Sequence, residues 1–446
     1  MSKLRMIGTF VVSLAIALFL LLGTGNLNSF AGPNYQELAL LTNVLHLVQQ
    51  HYVDEVDEHE LVEGALKGML DTLDPHTSYL SKEFYKEVQL DTKGEFEGLG
   101  IEITKRDGWV TVVAPIDGTP ASKAGVHAKD QIVAVCPELT DESCLSTQDM
   151  NLLEAVKLMR GPRGTKIMIQ IMRESWSAPR PFIIKRASIR VSSVRFQELE
   201  PGIPYIRLSQ FQERTTRDLA EAIEEARKKM GEFKGLVLDL RDNPGGLLEQ
   251  AVQVSDVFLG DGMIVFSEGR GGGNHMEWHA KSTGTEPEYP MVVLVNGGSA
   301  SASEIVAGSL QDHNRALVLG TETFGKGSVQ TIIPLDDGSG LRLTTALYYL
   351  PSGRSIQEVR IQPDVVIEPY SEAELAALEQ LEQGPSFGEE HLEGHLARKE
   401  KEAKKKAADD DDPYAIQPDR DRQLSRAVDL LKSWSIFSNL KLGSGA

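Results

Sequence analysis

The chain has 446 residues, room for two or three domains, and 41% of them are apolar, which excludes a wholly disordered chain. A net charge of -19 argues against non-specific nucleic-acid binding and leaves a folded acidic surface as the plain reading. With two cysteines in all, a four-cysteine metal site is excluded as well.

Lys3 and Arg5 precede an apolar run over residues 7–23, and Ser29 and Ala31 fit a small-x-small cleavage pattern. Residues 1–31 are expected to be a secretory signal peptide or an uncleaved amino-terminal anchor. Either way the body of the protein is exported, to the periplasm or cell envelope. Export permits disulfides, and Cys136 and Cys144, with Pro137 between them, suit a small loop bridge. Two free thiols are the alternative, because spacing does not show Cα separation.

Residues 34–93 are expected to be an amino-terminal helical region. Leu38, Leu40, Leu41, Val44, Leu45 and Val48 recur at helical spacing, a stripe of the kind that usually faces a core. A second helix spans about 59–73 and stops at Asp74-Pro75.

The pattern changes over residues 94–175. Short strands at 101–103, 110–113, 130–135 and 165–172 alternate with a short helix at 120–126 and a longer one at 151–159. This order resembles a PDZ domain of the circularly arranged bacterial kind. The resemblance implies that Gly98 and Gly100 turn backbone N–H groups toward a peptide's terminal carboxylate. The strand from Ile101 would then take the peptide as an added strand. Leu99, Gly100, Ile101, Leu152 and Val156 would line a groove that favours an apolar C-terminal residue. Residues 137–147 depart from the tight turn expected there.

In residues 176–370 strand and helix alternate. Strands are expected at 205–208, 235–240, 291–295 and 316–319, and helices at 215–230, 247–258 and 301–312. The fold class is therefore α/β with parallel-sheet crossovers. Residues 329–350, broken at Asp336-Asp337-Gly338-Ser339-Gly340, read as a β-hairpin. A polar helical tail runs from 371 to 446 and contains Lys404-Lys405-Lys406 and an acidic block at 409–412. Residues 419–431 suit a final amphipathic helix, with Leu424, Ala427, Val428 and Leu431 on one side, that packs on the core or binds another copy.

The chemistry sits in two glycine-flanked turns. One reads Asn296-Gly297-Gly298-Ser299-Ala300-Ser301-Ala302-Ser303-Glu304, the other Thr323-Phe324-Gly325-Lys326-Gly327-Ser328-Val329-Gln330. Each follows an apolar run that suits a buried strand, and strand ends are where α/β proteins place reactive groups. A hydroxyl becomes a nucleophile when a base takes its proton, and a neutral lysine can be that base. By residues alone, Ser299, Ser301 and Ser303 are all candidates. Gly320 to Lys326 also matches most of a phosphate-binding loop, but Gly327 stands where magnesium needs Ser or Thr, and a strand follows instead of a helix. Among the histidines, His313 lies some three turns from Ser301, and His275 and His279 flank Glu277 without the order of a zinc protease.

These segments resemble the active site of the C-terminal processing peptidases, also called tail-specific proteases. Leu73-Asp74-Pro75-His76-Thr77-Ser78-Tyr79, Asp239-Leu240-Arg241-Asp242-Asn243-Pro244-Gly245-Gly246 and Tyr348-Tyr349-Leu350-Pro351-Ser352-Gly353-Arg354 occur in the family's order. The resemblance covers roughly residues 35–368. It implies a serine endopeptidase with Ser301 as nucleophile, Lys326 as general base and Gln330 orienting the lysine. Glu304 would orient the turn by accepting hydrogen bonds. The backbone N–H of Ala302, with that of Gly245 or Gly246, would hold the oxyanion. No metal or nucleotide is implied. Partners would be proteins with accessible C-termini and, in some relatives, an envelope adaptor; an N-terminal membrane anchor and a homo-oligomer remain open. The rival function is a PDZ adaptor on a catalytically silent scaffold.

Overall fold

The computed structural model describes residues 34–369, apart from positions 149, 174, 274 and 358, and residues 421–442. The expected leader and most of the polar tail lie outside the described residues. Residues up to Thr72 and from Leu73 onward form two separate compact units.

The first unit contains helices α1 (Asn34–His51) and α2 (Glu58–Leu70). Asp57 caps α2 by accepting the N–H groups of His59 and Glu60. The stripe expected to face a core does not do so here. Leu38, Leu40, Leu41 and Val44 are exposed, because among the described residues of this unit no element beyond the helix pair covers them.

The second unit opens with β1 (Ser78–Leu80), α3 (Lys82–Lys93) and β2 (Glu95–Gly98). A β-rich lobe follows: β3 (Ile101–Arg106), β4 (Trp109–Pro115), α4 (Pro120–Lys123), β5 (Gln131–Cys136), β6 (Leu145–Ser146), α5 (Leu152–Met159), β7 (Lys166–Met172) and β8 (Arg180–Lys185). The strands lie in the order β3-β4-β5-β7-β8, with β6 on β5. Asn151 and Glu154 start α5 with a reciprocal capping box. Val110, Ile132, Ile167, Ile169 and Ala155 form the lobe's own core. β2 pairs with β9 (Ala187–Arg190), a ribbon that leads in and out of the lobe.

The remaining chain builds the larger core. Its elements are β10 (Val194–Glu200), β11 (Ile203–Leu208), α6 (Thr215–Met230), β12 (Leu236–Asp239), α7 (Leu248–Phe258), β13 (Met263–Gly269) and β14 (Met276–His279), then β15 (Met291–Val295), α8 (Ala302–Asp312), β16 (Leu317–Gly320), β17 (Ser328–Pro334), β18 (Gly340–Tyr349), β19 (Val365–Val366) and α9 (Arg422–Leu442). The main sheet runs β10-β11-β12-β15-β16-β19, parallel except at β10. Strand alternation decides its two faces. Ile206, Leu238 and Val293 pack toward α6, α7 and α8. Tyr205, Val237, Val292 and Leu294 pack against Leu424, Ala427, Val428 and Leu431 of α9, so the last helix covers the core. A second sheet, β1-β18-β13-β14, carries the β17–β18 hairpin.

α9 is also latched by charge. Asp421 grips Arg241 with two hydrogen bonds, at 3.0 and 2.7 Å, and Arg241 reaches Asp239 at 2.7 Å. Burial would raise the fully buried Asp239 carboxyl, but Arg241, Arg207 and the Tyr205 hydroxyl hold it below the usual carboxylate range. Replacing Arg241 leaves that carboxylate in the core without its main cation. Arg241→Met is expected to lower stability by about 3 kcal/mol or more. Urea unfolding followed by tryptophan fluorescence checks this, and a change below about 1 kcal/mol contradicts it.

Candidate active site

In the sheet order β12, β15 and β16 are neighbours and parallel, so the turns leaving their C-terminal ends lie side by side. The turn after β15 delivers Ser301 as the residue that caps α8. Its φ of 53° and ψ of -111° are strained for a residue with a side chain. The other two candidate serines are fully buried and already engaged. Ser299 Oγ donates to the Leu240 carbonyl at 2.8 Å, and Ser303 Oγ to the Asn243 carbonyl at 2.8 Å. Of the three, Ser301 alone is partly open to solvent.

The turn after β16 delivers Lys326, half-buried. One carboxylate joins it to the first turn. Glu304, fully buried on α8, accepts the Ser301 N–H at 2.8 Å and the Lys326 N–H at 2.9 Å through Oε2. Its Oε1 accepts the Gly325 N–H at 2.8 Å and the Thr323 hydroxyl at 2.5 Å. Burial pushes the Glu304 carboxyl up to about 7, against the pull of these four hydrogen bonds. Glu304 thus orients both turns, not only its own.

The turn after β12 packs directly on Ser301. A Cβ added at Gly245, whose φ is 99°, would stand 2.9 Å from Ser301 Cβ and 3.0 Å from the Ala302 nitrogen. Only glycine fits that approach. The Gly245 N–H, however, donates to Asn243 Oδ1 at 2.9 Å, so it is not available to an oxyanion. Gly246 is left as the candidate beside Ala302. Among the described residues, no acceptor takes the N–H of Gly246 or of Ala302. Asn243 holds the turn further: its Nδ2 donates to the Leu208 carbonyl, and its own carbonyl accepts the Ala300 N–H. Asn243, Thr323 and the buried Ser299 and Ser303 carry structural roles that reading the motifs did not assign. The signal was their presence inside the quoted motifs, with no spacing rule to say what they bind.

Gln330 lies on β17, where its Nε2 donates to Thr344 Oγ1 at 2.8 Å and faces Ser328 Oγ at 3.3 Å. Its Oε1 is buried with no hydrogen-bond partner among the described residues. The segment after Lys326 is strand, so the backbone of a phosphate-binding loop is not built there. His313 ends α8 with Nε2 2.6 Å from the Met263 carbonyl, far along the helix from Ser301. His275 and His279 bind the Glu277 carboxylate on an exposed strand.

In the β-rich lobe, β3 is the end strand of its sheet, so its second edge carries no strand among the described residues. Gly100 precedes it with a φ of 79° and packs on Thr119. Leu99 is buried, Ile101 and Val156 are half-buried, and Leu152 is exposed. Cys136 and Cys144 are joined in a disulfide of 1.95 Å.

In comparisons with known proteins, residues 202–367 match peptidase family S41, and residues 25–84 match the N-terminal domain of the activating protease CtpB. The chain is 46% identical over 400 residues to the carboxy-terminal-processing protease of Bartonella bacilliformis, covering 89% of each. It is 35% identical over 376 residues to the carboxy-terminal processing protease CtpA of Bacillus subtilis, covering 83% of this chain and 78% of the relative. A solved photosystem II D1 C-terminal processing protease is 30% identical, with a TM-score of 0.43, covering 74% of this chain and 93% of that one.

The buried Glu304 carries a pH signature. The folded chain keeps a proton there up to about pH 7, whereas the unfolded chain releases it near 4.5. This group's contribution to stability is therefore fully present below about 4.5 and is lost as pH rises through about 7. The stability difference between the wild type and Glu304→Gln is expected to shift against the wild type over that window. Denaturant unfolding of both proteins from pH 4.5 to 8 checks it; a pH-independent difference contradicts it.

Proposed function

Because the chain belongs to the family of carboxy-terminal processing proteases, and so is a serine-type peptidase acting on proteins or peptides, we propose that Ser301 is its nucleophile and Lys326 its general base. The observation that carries this reading is the Glu304 carboxylate, which receives the backbone N–H groups of both residues on one oxygen. The accessibility and strained backbone of Ser301, against the buried Ser299 and Ser303, support the same choice.

The chemistry then runs in two stages. Ser301 Oγ attacks the peptide carbonyl carbon while its proton passes to Lys326 Nζ. The oxygen of the tetrahedral intermediate takes hydrogen bonds from the Ala302 and Gly246 N–H groups. The C–N bond breaks, Lys326 gives its proton to the leaving amine, and an ester on Ser301 remains. Lys326 then takes a proton from water as the water oxygen attacks the ester carbonyl; the C–Oγ bond breaks, Lys326 returns that proton to Ser301 Oγ, and the acid product leaves with the dyad restored. Gln330 is the third member of the site.

The β-rich lobe is the substrate-capturing PDZ domain in this proposal. The open edge of β3 and the turn at Gly100 support capture of a C-terminal segment as an added strand. The disulfide and the leader-like run at residues 7–23 support export to the cell envelope. Among the described residues, no helix is long and apolar enough to cross a membrane.

The test is cleavage of an unfolded protein with an apolar C-terminal tail. Wild type is expected to cleave it, and Ser301→Ala and Lys326→Ala to lose about a thousandfold or more of kcat. Gly245→Ala should lose activity similarly, since the added methyl invades the space between Ser301 and the Ala302 N–H. Full cleavage by Ser301→Ala means another nucleophile. No cleavage by any form, with the tail still bound, points to a silent adaptor.

A further inference from the structure

The Asp74-Pro75-His76-Thr77 turn has no part in the chemistry above, yet it ends a hydrogen-bond chain that reaches Gln330. Asp74 and Thr77 are both buried. Asp74 Oδ1 accepts the N–H groups of His76 and Thr77 at 2.8 and 2.9 Å, and Oδ2 accepts the Thr77 hydroxyl at 2.7 Å. Thr77 Oγ1 in turn accepts the Thr344 N–H at 3.1 Å and lies 3.4 Å from the Thr344 hydroxyl. Thr344 Oγ1 accepts Gln330 Nε2 at 2.8 Å. Burial would raise the Asp74 carboxyl, but the Thr77 hydroxyl, the His76 N–H, the Thr344 hydroxyl and the Thr77 N–H outweigh it and hold it below the usual range.

Proton counting gives the chain a direction. A carboxylate only accepts, so the single proton of the Thr77 hydroxyl goes to Asp74. Thr77 Oγ1 is then an acceptor toward the Thr344 N–H, and the Thr344 hydroxyl bonds the Asp74 carboxylate as well. With its own proton engaged on the Asp74–Thr77 side, Thr344 Oγ1 accepts the Gln330 NH2 at 2.8 Å. The Gln330 carbonyl is turned the other way, buried and without a hydrogen-bond partner among the described residues. Lys326 lies two residues before β17, on which Ser328 and Gln330 share one face. A lysine ammonium is formed in every cycle and carries three hydrogens that need acceptors.

We propose that Asp74, Thr77 and Thr344 are positioning residues for hydrolysis: they fix the Gln330 amide so that its Oε1 is presented as the acceptor for the Lys326 ammonium. The proposal rests on the Ser301–Lys326 reading. It gives the Asp-Pro-His-Thr turn a part in catalysis from more than 200 residues away in sequence, delivered through the β1–β18 pairing that sets Ser78 opposite Arg342.

The test measures kcat and KM on the same tailed substrate. Thr344→Val, isosteric and suited to a strand, is expected to lower kcat about tenfold with KM within about twofold. Thr344→Ser, which keeps the hydroxyl, should restore kcat to within about threefold of wild type. Thr77→Val should behave like Thr344→Val, and in a Gln330→Ala background Thr344→Val should have no further effect. Thermal melting identifies any variant that fails to fold; Thr344→Ala then replaces Thr344→Val in the same comparison. Wild-type kcat in Thr344→Val, or an equal loss with and without Gln330, overturns the proposal while the dyad stands. Wild-type cleavage by Ser301→Ala or Lys326→Ala overturns the dyad and this proposal together.

Discussion

One buried carboxylate holds the candidate site in register. Glu304 is surrounded by four donors, two on each oxygen, and they come from both turns that matter. A carboxyl, acceptor-only once ionised, is the natural solution where several N–H groups converge away from water, since each would otherwise stay unsatisfied. Burial raises the cost of keeping it ionised, and the four hydrogen bonds offset that cost only in part. The site therefore depends on a group that is held at some expense in stability, which is common where geometry serves chemistry.

The parallel sheet makes this arrangement reachable. β12, β15 and β16 are adjacent, so turns far apart in sequence emerge next to one another. The Gly245 turn, the Ser301 turn and the Lys326 turn each arrive from one of these strands. Asn243 and Ser303 stitch the first to the second through main-chain groups. One face of the same strands is sealed by α9, and Asp421, just before that helix, holds Arg241 two residues after the end of β12. The turns that carry the candidate site and the carboxy-terminal helix are thus borne by the same sheet.

Much of this was legible from residue pattern. The parallel strands, the helices between them and the 328–349 hairpin follow from apolar runs punctuated by glycine. The stripe of α9 predicted a buried face, and Leu424, Ala427, Val428 and Leu431 form one. The equivalent stripe on α1 did not, because periodicity reports that a helix has an apolar face and not what covers it. Strands β10 and β13 escaped notice: β10 is mostly exposed, and β13, buried at Ile264, Val265 and Ser267, lacks the alternation of a half-buried strand. Within the site, residue type suggested Gly245 as an oxyanion donor, and only three-dimensional hydrogen bonding shows its N–H committed to Asn243. The link from Asp74 to Gln330 was invisible for the same reason, since it joins hydroxyls across a sheet and leaves no spacing in the chain.

The most direct test of the account is kcat/KM of Glu304→Gln on a disordered, tail-bearing substrate, at a pH where the variant remains folded. Glutamine keeps the shape of the side chain but sets an NH2 against donors at one end. The account predicts a fall of about a hundredfold or more with the fold intact, because the Ser301 and Lys326 turns lose their common acceptor. Activity within a few-fold of wild type would show that the two turns hold their geometry without this carboxylate, and would contradict the account.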